Sequence, residues 1–191
     1  MSVTSAKTGS TSLSLALENN FMEPIASTLV GASGTNSIIF NDIPQTYKHL
    51  QIRMLARIDY AGAANTAILR YNSDTNSNNY TYHELVGNGT AASVYGAAAP
   101  ESNQMLYVTG STVTASVFGV AITDILDYSN SNKYKTQRNF GGYDNNGSGR
   151  VIFNSGLWMN ANAITSIAIT PNQTTSSFIQ YSRFSLYGIK G

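Results

Sequence analysis

After residue 25 the chain is a succession of strand-length apolar runs, separated by clusters of Gly, Asn, Asp, Ser and Pro. The clearest run covers residues 49–58, where Leu50, Ile52, Met54, Ala56 and Ile58 share one face of a strand and Gln51, Arg53 and Arg57 share the other. One face is expected in a core and the other in water. Runs of similar length cover residues 25–30, 37–40, 66–71, 80–86, 104–108, 116–126, 133–143, 150–159, 163–170 and 178–189. Together they predict about ten strands. Punctuation falls at residues 31–34, 43–44, 73–79, 87–89, 144–147 and 171–173, rich in residues that tolerate a left-handed backbone or cap their own turn. No apolar period of 3.6 persists after residue 25 and no strand–helix–strand alternation occurs, which disfavours parallel, doubly wound folds. No repeat of fixed period argues for a propeller or solenoid. The expected fold class is all-β, an antiparallel β-sandwich that is jelly-roll-like, with an extended N-terminal arm.

The arm is residues 1–22, and the sandwich domain residues 23–191. Residues 1–12 are mostly Ser, Thr, Gly and Ala, with Lys7 their only charge, and hold little to bury. Residues 12–17 then alternate, setting Leu13, Leu15 and Leu17 on one side and small residues on the other. A short helix is the competing reading, because Leu, Ala and Glu18 favour one. Either way these leucines, with Phe21, are candidate anchors seeking a surface. Asn19 and Asn20 punctuate, and Pro24 blocks helix propagation into the domain.

Composition narrows the chemistry. The 191 residues carry 11 Lys and Arg against 10 Asp and Glu, for a net charge of +1, and only 11% are charged. A nucleic-acid binder would cluster its basic residues against phosphates, so that partner is not expected. With 42% hydrophobic residues the bulk of the chain is not of disordered composition. Zero cysteines remove disulfides, thiolate nucleophiles and zinc-thiolate sites together. No run approaches the length of a membrane helix, so membrane insertion is not expected. The first residues lack the charged-then-apolar order of a secretory signal; release by lysis, rather than general secretion, is the expectation.

Individual motifs fail when their context is considered. Residues 87–92, Gly-Asn-Gly-Thr-Ala-Ala, resemble a dinucleotide-binding loop, but no amphipathic helix follows to hold a pyrophosphate, so they read as a hairpin turn. Residues 74–78 open with the spacing of a calcium loop. Asn79 then replaces its glycine, and Leu85 stands where a bidentate glutamate belongs. His49 and His83 have no second His or Cys at metal-ligand spacing. Asp124 and Asp127 are the one carboxylate pair to weigh for glycosidase chemistry, which needs two such groups facing across a cleft. No catalytic residue, cofactor or metal is expected. The 12 tyrosines are more suggestive, because tyrosine offers a flat apolar body with a polar tip. Tyr60, Tyr80, Tyr82 and Tyr95, in or beside turns, are candidate surface-binding residues.

Four stretches carry a resemblance: residues 22–26 (Met-Glu-Pro-Ile-Ala), 40–50 (Phe-Asn-Asp-Ile-Pro-Gln-Thr-Tyr-Lys-His-Leu), 155–159 (Ser-Gly-Leu-Trp-Met) and the ending from Tyr181 to Lys190. From about Met22 onward the chain resembles a group of tailed-bacteriophage virion proteins. The resemblance implies a jelly-roll-like domain, commonly trimeric, on a particle surface, with no catalytic residues to carry over. The expected role is a non-enzymatic capsid decoration, or cement, protein docking on the major capsid protein through its arm. A tail or head fibre subunit or receptor-binding tip contacting host glycans is the alternative. Virion surface is the expected location, after assembly in the host cytoplasm.

Overall fold

The computed structural model describes residues 21–99 and 103–191. Within them lie twelve strands: β1 (Met22–Leu29), β2 (Ile38–Phe40), β3 (His49–Ala56), β4 (Ala64–Tyr71), β5 (Tyr80–Gly87), β6 (Ala92–Ala97), β7 (Asn103–Thr109), β8 (Gly119–Ile125), β9 (Lys135–Asp144), β10 (Gly149–Trp158), β11 (Ile167–Pro171) and β12 (Arg183–Ile189). They form two antiparallel sheets packed as a sandwich, one ordered β1-β12-β3-β8-β9-β10-β5-β6 and the other β2-β11-β4-β7. The β6 strand was absent from the runs read in the sequence. Met22, assigned there to the arm, is the first residue of β1 and pairs with Ile189.

The topology becomes simple when β5, β6, β9 and β10 are set aside. The remaining eight strands pair β4 with β7, β3 with β8, β2 with β11 and β1 with β12, all antiparallel. That is one long hairpin rolled so that successive pairs fall alternately in the two sheets, the connectivity of a jelly roll. The other four strands are two insertions, β5–β6 between β4 and β7 and β9–β10 between β8 and β11. Both extend the same sheet beyond β8.

Burial follows period two where the jelly roll closes. Leu50, Ile52, Met54 and Ala56 of β3 and Phe184 and Leu186 of β12 form one core with Leu69 and Tyr71 of β4 and Ile167 and Ile169 of β11. Burying each large apolar side chain contributes about 1.5–3 kcal/mol. Pro24 is tolerated because β1 is an edge strand, paired to β12 alone, and the register shifts beside it between Pro24 and Ala26.

Alternation fails just past β3. Arg57, expected on the wet face, is buried, and its guanidinium donates to the carbonyls of Ser111, Val113, Thr114 and Val117 at 2.9–3.3 Å. It binds the loop between β7 and β8 to the sandwich.

Beneath the inserted strands polar groups join Tyr80, Val86, Ile152 and Trp158 in the interior. Lys135, Gln137 and Asn139 of β9, Asn154 of β10 and Glu84 of β5 are all buried. Asn139 Nδ2 donates to Asn154 Oδ1 at 2.8 Å, and the Tyr71 hydroxyl donates to Gln137 Oε1. The Lys135 ammonium donates to the carbonyls of Asn130, Lys133 and Ala161 at 2.7–2.9 Å. Two loops, the one between β8 and β9 and the one after β10, are thereby held by one cation, whose pKa burial pushes down, with Lys133 adding to the effect. The loop after β4 is closed in a similar way around an anion. Asp74 accepts from the Trp158 indole (2.7 Å), Asn79 Nδ2 (2.7 Å) and the Asn76 amide (2.9 Å). Burial alone would raise the Asp74 pKa; these three donors and nearby Arg70 outweigh it and hold the carboxyl below its usual range.

Two outcomes are expected. Lys135→Met strands three carbonyls and should cost about 3 kcal/mol, lowering a calorimetric midpoint by about 6–12 °C. An unchanged midpoint would show that water replaces the ammonium without loss. Because the Asp74 pKa is depressed on folding, its contribution is present above the unfolded carboxylate value and lost as pH falls through the folded one. Emission of Trp158, the single tryptophan, should therefore respond to acid below about pH 4. Asp74→Asn should lower stability at pH 7 and flatten that acid response.

Candidate interaction face

Turn chemistry sets the register of the inserted strands. Between β9 and β10, Asn146 (φ 51°) and Gly147 (φ 99°) both occupy the left-handed region, and Asn145 N–H donates to Ser148 O at 2.7 Å. Asn-Gly with two positive φ values is the type I′ signature, whose twist matches that of the flanking strands. Between β5 and β6 the Asn88 side chain accepts from the amides of Thr90 and Ala91, and Asn88 N–H donates to Ala91 O. The residues read as a failed dinucleotide loop are thus a hairpin turn.

With both hairpins so pinned, one row of directly paired residues crosses five strands: Ile122, Phe140, Phe153, Leu85 and Val94. All five point away from the core and are exposed, from 43% for Ile122 to 77% for Val94. The Phe140 and Phe153 rings lie 4.7 Å apart between centroids and tilted by 32°. A second outward row, Leu55, Val120, Gly142 and Val151, runs beside it. Gly142 is required there: its φ is 146°, and a Cβ would come within 1.8 Å of the Arg150 carbonyl oxygen. On the other flank the row is polar, with Gln51, Asp124, Arg138, Ser155 and His83 in register.

These rows enclose a groove of about 710 Å³ with the aromatic row at its floor and Asp124, Arg138, Ser155, His83 and Tyr95 around it. A second depression of about 540 Å³ meets it at Phe140 and continues past Val120 and Val151 to the two hairpin turns. The outer face expected to be wet along residues 49–58 carries Gln51 and Arg53, but beyond β3 the same face continues as an apolar surface. In β9 and β10 Phe140 and Phe153 face out while Lys135, Gln137, Asn139 and Asn154 face in beside the buried Ile152 and Trp158, so polar and apolar groups are mixed across the two faces.

The residues proposed from sequence scatter. Phe21 is exposed next to β1; Leu13, Leu15 and Leu17 lie outside the described residues. Tyr80 is fully buried, donates to Asp74 O at 3.0 Å and lies under Arg70, 4.9 Å from its ring centroid, so it is no surface-binding residue. Burial is the main cause that pushes its hydroxyl up to about 12. Tyr60 is half-buried against the core and Tyr82 half-buried on the inward side of β5. Of the four, Tyr95 borders the groove through its place in β6, but it pairs with the inward Glu84 and is opposite in parity to Val94.

Asp124 and Asp127 do not cooperate. Asp124 accepts from Gln51 Nε2 at 2.8 Å on the outer face. Asp127, in the turn beyond β8 at φ 49°, pairs with Lys133 and with Lys48 at 3.4 Å. The Lys133 hydrogen bond leads the causes that lower its pKa. Ser155 and His83 are cross-strand partners with Asp124 in the same row, a trio absent from the sequence reading. Their order is wrong for a proton relay, since Ser155 sits between His83 and Arg138 and the carboxylate lies beyond the arginine. Among the described residues no group of three or more His, Asp and Glu is placed to hold a metal ion, and no helix is long and apolar enough to cross a membrane.

The sequence reading missed the face because residues 133–143 offer no apolar set on either parity. The available signal was residues 150–158, where Ile152 and Trp158 share one parity and Val151, Phe153 and Leu157 the other, a pattern that marks a strand covered on both sides. No protein-family model matches this chain, and no curated protein or solved structure matches it either.

If the face is outward and dispensable for folding, Phe140→Ser combined with Phe153→Ser should leave the thermal midpoint within about 3 °C, because neither ring leaves the core. Binding of an apolar dye should fall several-fold. A collapse of the midpoint would mean that the rings support the sandwich itself.

Proposed function

We propose that this chain is a non-enzymatic surface subunit of a tailed-phage virion, with capsid decoration as its role. The observation that carries the reading is the outward apolar row across β8, β9, β10, β5 and β6, with Phe140 and Phe153 at its middle. Exposed apolar surface of this continuity is unfavourable in water and is retained where another protein covers it. Jelly rolls recur in viral capsids and lectins alike, so the fold supplies analogy and no more. The resemblance of residues 22–26, 40–50, 155–159 and 181–190 to virion proteins supplies the setting. In that setting the jelly roll is a rigid carrier and the extension is the part that grips.

One feature favours the receptor-tip alternative. His83 stands with Asp124, Arg138 and Ser155 in the polar row beside Phe140 and Phe153. Aromatic area with adjacent polar groups is the chemistry by which proteins hold sugar rings.

Labelling intact particles of the phage that encodes this chain separates the two. The decoration reading expects label over the shell and a shell-like copy number. Label confined to the tail, with purified protein blocking adsorption to host cells, would favour the tip. A particle without the protein would remove both.

A further inference from the structure

We propose that the aromatic row is the seat for residues 13–17 of a second copy of this chain, so that Leu13, Leu15 and Leu17 of one subunit lie across β8, β9, β10 and β5 of its neighbour. The inference draws on the reading of this face as an assembly surface and names its occupant; it does not depend on the virion setting.

Chemistry and spacing both match. Residues 12–17 carry no charge and put three leucines on one side when extended, with Ser12, Ser14 and Ala16 on the other. In an extended chain Leu13 and Leu17 stand about 14 Å apart. From Ile122 to Leu85 the row crosses three inter-strand steps, again about 14 Å. The leucines would therefore fall along Ile122, Phe140, Phe153 and Leu85, with the small residues left facing water.

Reach decides between the chain's own leader and a neighbour's. Leu17 stands five residues before Met22, so an extended chain can carry it at most about 18 Å. From Met22 to Ile122 there are three steps across strands, about 14 Å, and four residues along them, about 14 Å, plus about 10 Å between packed layers. Taken as mutually perpendicular offsets these give a straight-line distance of about 22 Å, beyond the reach of Leu17 from its own β1. A neighbour's leader has no such tether. Copies joined this way exchange an element between protomers, an economical route to a closed oligomer.

The chain contains no cysteine, which makes the test direct. Full-length Leu15→Cys protein is mixed with full-length Ser155→Cys protein under mild oxidation; Ser155 is exposed, two residues from Phe153. The expected product is a disulfide-linked pair of different chains. Adding Leu13→Ser and Leu17→Ser to the first partner should abolish it, and light scattering on cysteine-free protein bearing Leu13→Ser, Leu15→Ser and Leu17→Ser should show association weakened about 100-fold or more. Unchanged Trp158 emission verifies folding in each variant. The proposal is overturned if a double-cysteine chain links only within itself, if no mixed link forms, or if association survives the leucine changes. These outcomes leave the location of the protein on a particle to be decided separately, so failure here and failure of the virion reading are distinguishable.

Discussion

Strand register in the inserted hairpins is the constraint on which the rest of this molecule depends. Side chains alternate faces along a strand, so a slip of one residue between β9 and β10 would turn Phe140 or its partner Phe153 inward and expose a member of the polar set Gln137, Asn139 and Asn154. The Asn146-Gly147 turn prevents that slip from one end. At the other, Lys135 and Trp158 are directly paired, one capped by three carbonyls and the other bonded to Asp74. A polar interior supplies a further lock, since a buried amide out of register would lose its hydrogen bond and carry a desolvation cost of about 1–3 kcal/mol.

That arrangement divides the molecule by chemistry. The eight-strand jelly roll has an apolar core of familiar composition and holds its loops with a buried arginine on backbone carbonyls. The four inserted strands mix the two, with amides, a carboxyl and a lysine inside beside Tyr80, Val86, Ile152 and Trp158, and with Phe140, Phe153, Leu85 and Val94 outside. Polar groups inside a sandwich give less hydrophobic stabilisation than leucines would, but their directional bonds specify one pairing of strands. An apolar outside gives the isolated subunit nothing. It becomes favourable only when covered, which is why the extension reads as the working part.

Charge has a secondary place in this design. With so few charged residues, ion pairs gather at one end of the large sheet, where Asp127 meets Lys48 and Lys133, and Glu23 meets Lys190 at 2.6 Å. The Lys190 hydrogen bond, followed by the one from Tyr47, holds the Glu23 carboxyl below its ordinary range. These pairs are half-exposed and screened, so they trim the edge of the sheet more than they stabilise it. The polar row of Asp124, Arg138, Ser155 and His83 instead borders the apolar floor, where it can orient whatever lies upon it.

Much of the sandwich was legible from local pattern alone. Leu50, Ile52, Met54 and Ala56 declare an inward face because burial on one side and water on the other write themselves into every second residue, and Asn146-Gly147 declares a hairpin because few other dipeptides tolerate two positive φ values. The absence of cysteine, and the dispersal of carboxylates and histidines, were equally plain. Strand order was not, because nothing local to residues 135–158 states that they extend a sheet beside β8 and not the one opposite. Nor could Arg57, Tyr80 and Lys135 be read as buried, since the carbonyls that receive them are gathered only by the folded loops, up to 60 residues away in the case of Arg57. The outward aromatic row belongs to this second kind of information. Ile122, Phe140, Phe153, Leu85 and Val94 come from five strands, and only the pairing of those strands in space makes five separate apolar residues into one surface.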